Sequence, residues 1–481
     1  MLKDLASQIV MWLDTSAEWV VAFIIIIGVM QNIISLTQLF VAAKVLRRKK
    51  DEDNSEALWQ QRAPSAPPIS LIAPAYNESA SIVESTKSLL NIHYPHCEVI
   101  VVNDGSKDDT LSKLINSFAL TPSPRDFDIA VAHKEIRQVY QSKKYPNLIV
   151  IDKENGGKAD ALNAGINVSR SPLFCSVDAD SMLDADALLH AVQPFLSKPD
   201  SVIAVGGTIR VANGCRVRGG KVLSVGLSNK LLPMLQTVEY TRAFLIARVA
   251  MSEMGIMTLI SGAFGIFRRP AAIAAGGYDT TTVGEDYELV MRMHRYHLER
   301  KIKYEVVFVA EPVCWTEVPE NLTILGRQRK RWQRGSLETF FRHWKMLGDP
   351  RYGKVGLFGL PMSLLIDVFG PLVEVIGYFL VPILWLSGLL NFDFMLAFLA
   401  LTFVFGIFIS AGSLALEEIS LHRIPKAKDL LRLGGGIIIE NFGYRQLNNI
   451  WRVQGWWEFI RKKKSWGEMT RKGFQSSEPN Q

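Results

Sequence analysis

The chain has 481 residues, 48% of them hydrophobic, and a formal net charge of +7. A mean hydropathy of +0.13 is high for a soluble enzyme and low for a protein held wholly in a bilayer, so a soluble domain joined to membrane helices is expected. The basic residues gather beside apolar segments, which favours lipid headgroups and excludes nucleic acid as a partner, and Cys97, Cys175, Cys215 and Cys314 have the spacing of neither a zinc site nor a disulfide framework.

Residues 19–43 carry no charge and are long enough to cross a bilayer. Lys44 and the run Arg47-Arg48-Lys49-Lys50 follow, so residues 1–50 read as a retained anchor whose basic end faces the cytoplasm. Residues 51–68 are charged and then rich in proline (Pro64, Pro67, Pro68), as a linker would be. From Ile69 to Met346 short apolar runs alternate with helix-like stretches. Strands are expected at 69–74, 98–103, 147–152, 173–177 and 202–205, and helices at 81–90, 158–168 and 287–297. The pattern predicts an α/β domain with a mostly parallel sheet covered on both faces, its ligands bound beyond the carboxyl ends of the strands.

Residues 355–418 form the second apolar region, read as two spans divided near Asp393, which makes about three transmembrane helices in all. Asp367 and Glu374 lie seven residues apart on one helix face, either at the interface or lining a polar path, and Pro361 and Pro371 favour a broken helix. His422, Arg423, Lys426 and Lys428 again place the flanking parts inside. Residues 419–481 are basic and aromatic, the composition of amphipathic helices lying on a membrane surface.

The strand ends carry the chemistry. Asp104, in Asn103-Asp104-Gly105-Ser106, could accept from a base or ribose, although such a tetrad also makes Asx turns. Gly156-Gly157 delivers Lys158 and Asp160 to a helix start, as phosphate or sugar contacts or as a capped turn. Asp178 and Asp180, alternate residues at a strand end, suit Mg²⁺ or Mn²⁺ bridging to a diphosphate, or equally a helix cap. Gly284-Glu285-Asp286 precedes a helix and offers a general base or a cap, and the residues alone do not choose between the two carboxylates. Gln328-Arg329-Lys330-Arg331-Trp332 stands between this domain and the second apolar region. Its cations and indole fit a phosphorylated ligand and a sugar face, and by composition a membrane anchor too.

These motifs in order, with Pro74-Ala75-Tyr76-Asn77-Glu78 at the first strand end, resemble the membrane-embedded, inverting family-2 glycosyltransferases, which include the cellulose, hyaluronan, chitin and poly-N-acetylglucosamine synthases. The resemblance covers residues 69–332 and implies a nucleotide-sugar-binding, GT-A-like fold. It implies Asp286 as catalytic base. Asp104 would bind the uridine with Tyr76 and Glu78 nearby, Lys158 and Asp160 would line the donor pocket, Asp178 would contact the donor, and Asp180 would hold the metal. Gln328 and Arg331 would lie near the diphosphate and Trp332 under the acceptor sugar, with Arg329 and Lys330 left to meet lipid headgroups. Ser261-Gly262-Ala263-Phe264 matches the acceptor-site segment less closely, because the usual cysteine is absent.

The expected activity is transfer from a UDP-sugar to a growing polysaccharide with inversion, processive and coupled to export, by an enzyme of the inner or plasma membrane with a cytosolic catalytic domain. Accessory export proteins are candidate partners. The alternative is single transfer to a membrane lipid, and a further rival is a non-catalytic scaffold on a degenerate fold. No appended cyclic-dinucleotide-binding domain is expected.

Overall fold

The computed structural model describes residues 2–49, 63–178, 181–218, 221–421 and 426–462. The expected strands all form: β1 (Ile69–Ala75), β2 (Cys97–Asp104), β5 (Leu148–Lys153), β6 (Leu173–Val177) and β8 (Val202–Val211). With β3 (Leu120–Pro122), β4 (Ile136–Ser142), β7 (Ser181–Leu183), β11 (Phe264–Arg268) and β12 (Glu305–Thr316) they make one ten-stranded sheet. Its order is β3-β4-β5-β2-β1-β6-β11-β8-β12-β7. The block β5-β2-β1-β6 is parallel, as is the pair β8-β12, and β11 runs antiparallel between β6 and β8. A hairpin, β9 (Arg216–Arg218) and β10 (Lys221–Ser224), stands apart from this sheet.

Both faces of the sheet are buried because its central strands are mostly apolar, with the small Ser70 and Ser176 buried among them. In β1, Leu71 and Ala73 enter one core while Ile72 enters the other, and in β2 Val99 and Val101 oppose Ile100 and Val102 in the same way. The first core is closed by the helix Ala187–Ser197 and the second by the helix Lys158–Val168. Ala42, Leu46 and Leu416 belong to the second core, so the inner ends of two apolar helices dock onto the domain and fix its orientation to them.

Among the described residues three helices are long and apolar enough to cross a membrane: Trp19–Arg48, Val355–Leu386 and Phe392–Leu421. They pack on one another through Val21, Ile24, Val381, Leu390 and Phe398. The second is broken, as its prolines suggest, by wider π-type turns at Val355–Gly359 and Leu364–Val368 and a bend at Phe369 before Pro371. Two further helices, Ala427–Ile439 and Arg445–Ile460, meet at a kink where Gly443 takes a φ of 106°.

The helix Leu322–His343, which carries the Gln328–Trp332 pentad, is wedged between domain and membrane helices by glycine contacts. A Cβ at Gly326 would come within 2.8 Å of Trp451 Nε1, and one at Gly455 within 2.8 Å of the Lys330 carbonyl oxygen. No side chain but hydrogen fits either place.

Candidate active site

The carboxyl ends of β1, β2, β5 and β6 open into a cavity of about 1660 Å³. Tyr76, Glu78, Asp104, Lys158, Asp178, Asp286, Gln328, Arg331 and Trp332 all line it, although they come from six separate stretches of sequence. Asp160 does not line it, and Asp180 lies outside the described residues.

Asp104 at the end of β2 organises the floor. Its carboxylate accepts from the backbone N–H groups of Gly156 (3.0 Å) and Gly157 (2.8 Å) and from Asn155 Nδ2 (3.2 Å), and it pairs with Lys153 Nζ at 2.7 Å. The Asn155-Gly156-Gly157 turn is thereby held at the strand edge. Gly157 has a φ of 89°, a conformation that glycine adopts without strain, and it launches the helix that begins with Lys158. Lys153 is fully buried between two carboxylates, reaching Asp160 Oδ1 at 2.5 Å as well as Asp104. Asp160 also accepts from the Lys134 backbone N–H. Thus Asp104 and Asp160 share one buried cation, which the sequence reading passed over. A lysine closing the apolar run Leu148–Asp152 was the available signal.

At the other side of the cavity floor the functional groups converge. Lys158 Nζ lies 2.5 Å from Asp178 Oδ1 at the end of β6 and 3.5 Å from Glu285 Oε1. Burial opposes the Lys158 charge, but Asp178, Glu285 and Asp286 outweigh it and raise the ammonium above the ordinary lysine range. Burial also raises the Glu285 carboxyl, against the pull of Lys158. Asp286 is held differently: Oδ2 accepts from the backbone N–H of Gly262 at 2.7 Å, and Oδ1 from Tyr287 N at 2.8 Å. A Cβ at Gly262 would lie 3.0 Å from Lys158 Nζ and 3.2 Å from Asp286 Oδ2, so this segment must stay narrow to bring Lys158 and Asp286 together. Glu285 and Gly262, which stand in the motifs without an assigned role, are therefore part of the site.

The opening of the helix Glu285–Glu299 is bound to the helix Leu322–His343. Gly284 and Gly335 touch so closely that a Cβ on either would come 2.9 Å from the other's Cα. One turn on, Glu338 accepts from Thr282 Oγ1 and Val283 N, both at 2.9 Å.

Trp332 is 39% exposed and faces the cavity, with the Arg329 guanidinium 4.3 Å from its ring centroid. Arg329 is not available to lipid headgroups. It is buried under the Trp332 indole and pairs with Glu239 at 2.7 Å, the kind of planar, carboxylate-paired setting that suits a guanidinium. Tyr76, 44% exposed, stands at the rim, and the Glu78 carboxylate accepts from Ser81 Oγ at 2.9 Å.

The cavity continues past Trp332 to Asp367 and Arg452. Asp367 accepts from Ser363 Oγ at 2.9 Å and lies 3.6 Å from Arg452. Glu374 is not in the cavity wall. It pairs with Arg445 at 3.1 Å and accepts from Tyr378 and Asn449, bracing the second apolar helix against Arg445–Ile460.

Two family models match, "Glycosyl transferase family 2" over residues 70–272 and "Glycosyl transferase family group 2" over residues 173–409. The chain belongs to glycosyltransferase family 2 and has its GT-A-like fold. It is 30% identical over 275 residues to a poly-beta-1,6-N-acetyl-D-glucosamine synthase of Staphylococcus epidermidis, covering 57% of this chain and 56% of that protein. The Staphylococcus aureus (strain COL) protein of the same name is 29% identical over the same shares. The chain thus spans about half the length of the curated relatives it matches. Among solved structures, a mannosyltransferase from Pyrobaculum calidifontis in complex with GDP-Man and Mn²⁺ matches with a TM-score of 0.51 at 17% identity, covering 92% of this chain and 100% of that one.

Proposed function

We propose that this glycosyltransferase builds a polysaccharide, moving sugar from a UDP-sugar to the end of a growing chain with inversion at the anomeric carbon. The observation that carries the reading is a single cavity running from Asp104 and Lys158, past Asp286 and Trp332, to Asp367 among the apolar helices. At about 1660 Å³ it exceeds the roughly 300–1,000 Å³ typical of one small ligand, which leaves room for donor and acceptor together. The name of the staphylococcal relatives supports a polymer product and puts an N-acetylhexosamine donor first in any screen.

Asp286 serves as general base: anchored through Gly262 N, it takes the proton of an acceptor hydroxyl, which attacks the anomeric carbon from the face opposite the leaving diphosphate. Lys158 and Arg331 offset the negative charge that grows on the diphosphate. Trp332, backed by Arg329, presents its indole to the acceptor sugar ring. Tyr76 and the rigid Asp104 floor form the nucleoside end, with Asp104 shaping the Gly156-Gly157 turn and Asp160 acting from behind it through Lys153.

A divalent cation fits the donor chemistry here. Asp178 stands at the strand end facing the cavity, and with Asp180 it would hold Mg²⁺ or Mn²⁺, which supplies charge neutralisation on the diphosphate. The three apolar helices and the basic run Arg47–Lys50 support a plasma-membrane protein with its catalytic domain in the cytoplasm, where the donor is made.

The purified chain, given labelled UDP-sugars in turn with Mg²⁺ or Mn²⁺, is expected to yield high-mass polymer sensitive to a linkage-specific hydrolase. Trp332→Ala is expected to abolish polymer while the protein stays folded. A product that is one sugar on a lipid sinks the polysaccharide reading, and no transfer from any nucleotide sugar sinks the whole assignment.

A further inference from the structure

Most cations in the cavity wall are answered by a carboxylate. Lys158, Lys230, Arg329 and Arg452 each have one within 3.6 Å. Arg248 lines the same cavity and differs. No carboxylate pairs with it among the described residues, its Nη1 is buried with no hydrogen-bond partner (as are two nitrogens of the carboxylate-paired Arg329), and its guanidinium lies over the Phe244 ring, 4.3 Å from the centroid. A buried guanidinium nitrogen without a partner is unfavourable. Such a group persists where a ligand completes it.

The local backbone explains how the pair is presented. Residues 241–247 form a π-type turn, and Arg248 opens the short helix that follows, four residues after Phe244. Wider turns of this kind occur often at functional sites because they redirect side chains that a regular helix would stagger. With one face of the guanidinium against Phe244, its in-plane N–H donors remain for oxygen acceptors. Burial lowers the Arg248 pKa to about 10, against the pull of Asp286 and Asp367, so the group is still a cation at neutral pH. Its helix packs against the first apolar helix, where Glu253 pairs with Arg48, so Arg248 enters the cavity from the side of the apolar helices.

We infer that Arg248 binds the acceptor: its N–H groups hold hydroxyl or carbonyl oxygens of the acceptor saccharide's terminal sugar, on the side of Asp286 away from the donor. The inference rests on the transferase reading given above. Arg248 then fixes which hydroxyl meets Asp286, and a sugar held this way displaces water that would otherwise take the donor's sugar.

The test uses the full chain in detergent or nanodiscs, a short oligosaccharide of its own product as added acceptor, and two variants, Arg248→Gln and Arg248→Met. Losing a charged donor to a neutral oxygen is expected to raise the acceptor KM by about tenfold or more. The share of donor sugar released to water should rise with it, while the donor KM stays within about twofold. An unchanged acceptor KM overturns the inference, and so does a donor KM that climbs in step. If both variants fail to fold, by thermal melting and size-exclusion profile, Arg248 is structural and the inference falls. A wild-type protein that releases donor sugar to water yet elongates no saccharide overturns the polysaccharide reading itself.

Discussion

The two walls of the cavity are built on opposite plans. The donor wall, so named for the proposed function, is made of strand ends, and its charges are met by groups at the other strand ends and at the helix start beside them: Asp104 by the 153–157 segment, Asp160 by Lys153, Asp178 by Lys158. The membrane wall is made of helices, and its charges are satisfied across long separations: Arg329 with Glu239 and Asp367 with Arg452. A parallel sheet fixes its strand ends through backbone hydrogen bonds, so a short motif suffices to place a carboxylate. Helices fix one another only through side chains, so their ion pairs act as the register. The donor wall should therefore tolerate little local change, and the membrane wall should fail by misalignment.

The sharpest break falls where the walls meet. Asp286→Asn keeps the Gly262 N–H contact to an oxygen but cannot take a proton, and turnover is expected to fall by roughly 10²- to 10⁴-fold. Donor binding, read by titration with UDP, should stay within about twofold. Unchanged turnover would falsify the assignment of the base.

On the donor wall the largest effect is structural. Lys153→Met would leave Asp104 and Asp160 buried without their shared cation. Removing one partner from a buried ion pair costs about 3–5 kcal/mol. A fall in melting temperature should accompany loss of donor binding, because the Asn155-Gly157 turn hangs from Asp104. A variant as stable as wild type would mean that water or the chain's own relaxation replaces the lysine.

The seam between the walls offers a subtler perturbation. Glu338 holds Thr282 and Val283 immediately before the base loop. Glu338→Ala orphans both donors, a loss of about 1–3 kcal/mol, and should lower kcat about tenfold with the donor KM unmoved. Glu338→Gln retains an accepting oxygen and should recover most of the rate. Equal loss in both variants, or a shift in donor KM, would show that Glu338 does not act through the base loop.

This contrast also explains what the amino-acid sequence disclosed. The strands and the broken second apolar helix could be read because each depends on a local pattern, an apolar run or a proline, while nine of the cavity residues were reached through motifs that resemble a known family. Arg329 was misread as a lipid contact because its partner Glu239 lies 90 residues away and no local signal joins them. Glu338 goes unread for the same reason, and Lys153 shows only as a lysine closing an apolar run. A lysine buried between two aspartates and a glutamate capping a distant loop are ordinary residues until the chain folds. Asp160 was placed in the donor pocket by its motif, yet it stands one layer behind.

The smallest expected effect concerns the carboxylate that sits between the two plans. Glu285 is buried, and burial raises its pKa above the ordinary glutamate value while Lys158 pulls the other way and Asp286 adds to the rise. A carboxyl whose folded pKa is raised favours folding while it stays protonated. That contribution is complete below the unfolded glutamate pKa and is lost as pH rises through the folded value. Glu285→Gln keeps the protonated shape at every pH. The two proteins should therefore melt together at acidic pH, and the variant should become the more stable as pH is raised above the ordinary glutamate range toward neutrality. Melting temperatures of wild type and variant between pH 4 and 8 would read this directly. If the gap instead opens in favour of the wild type as pH rises, the Lys158 pair outweighs desolvation, and Glu285 stabilises the junction as an anion.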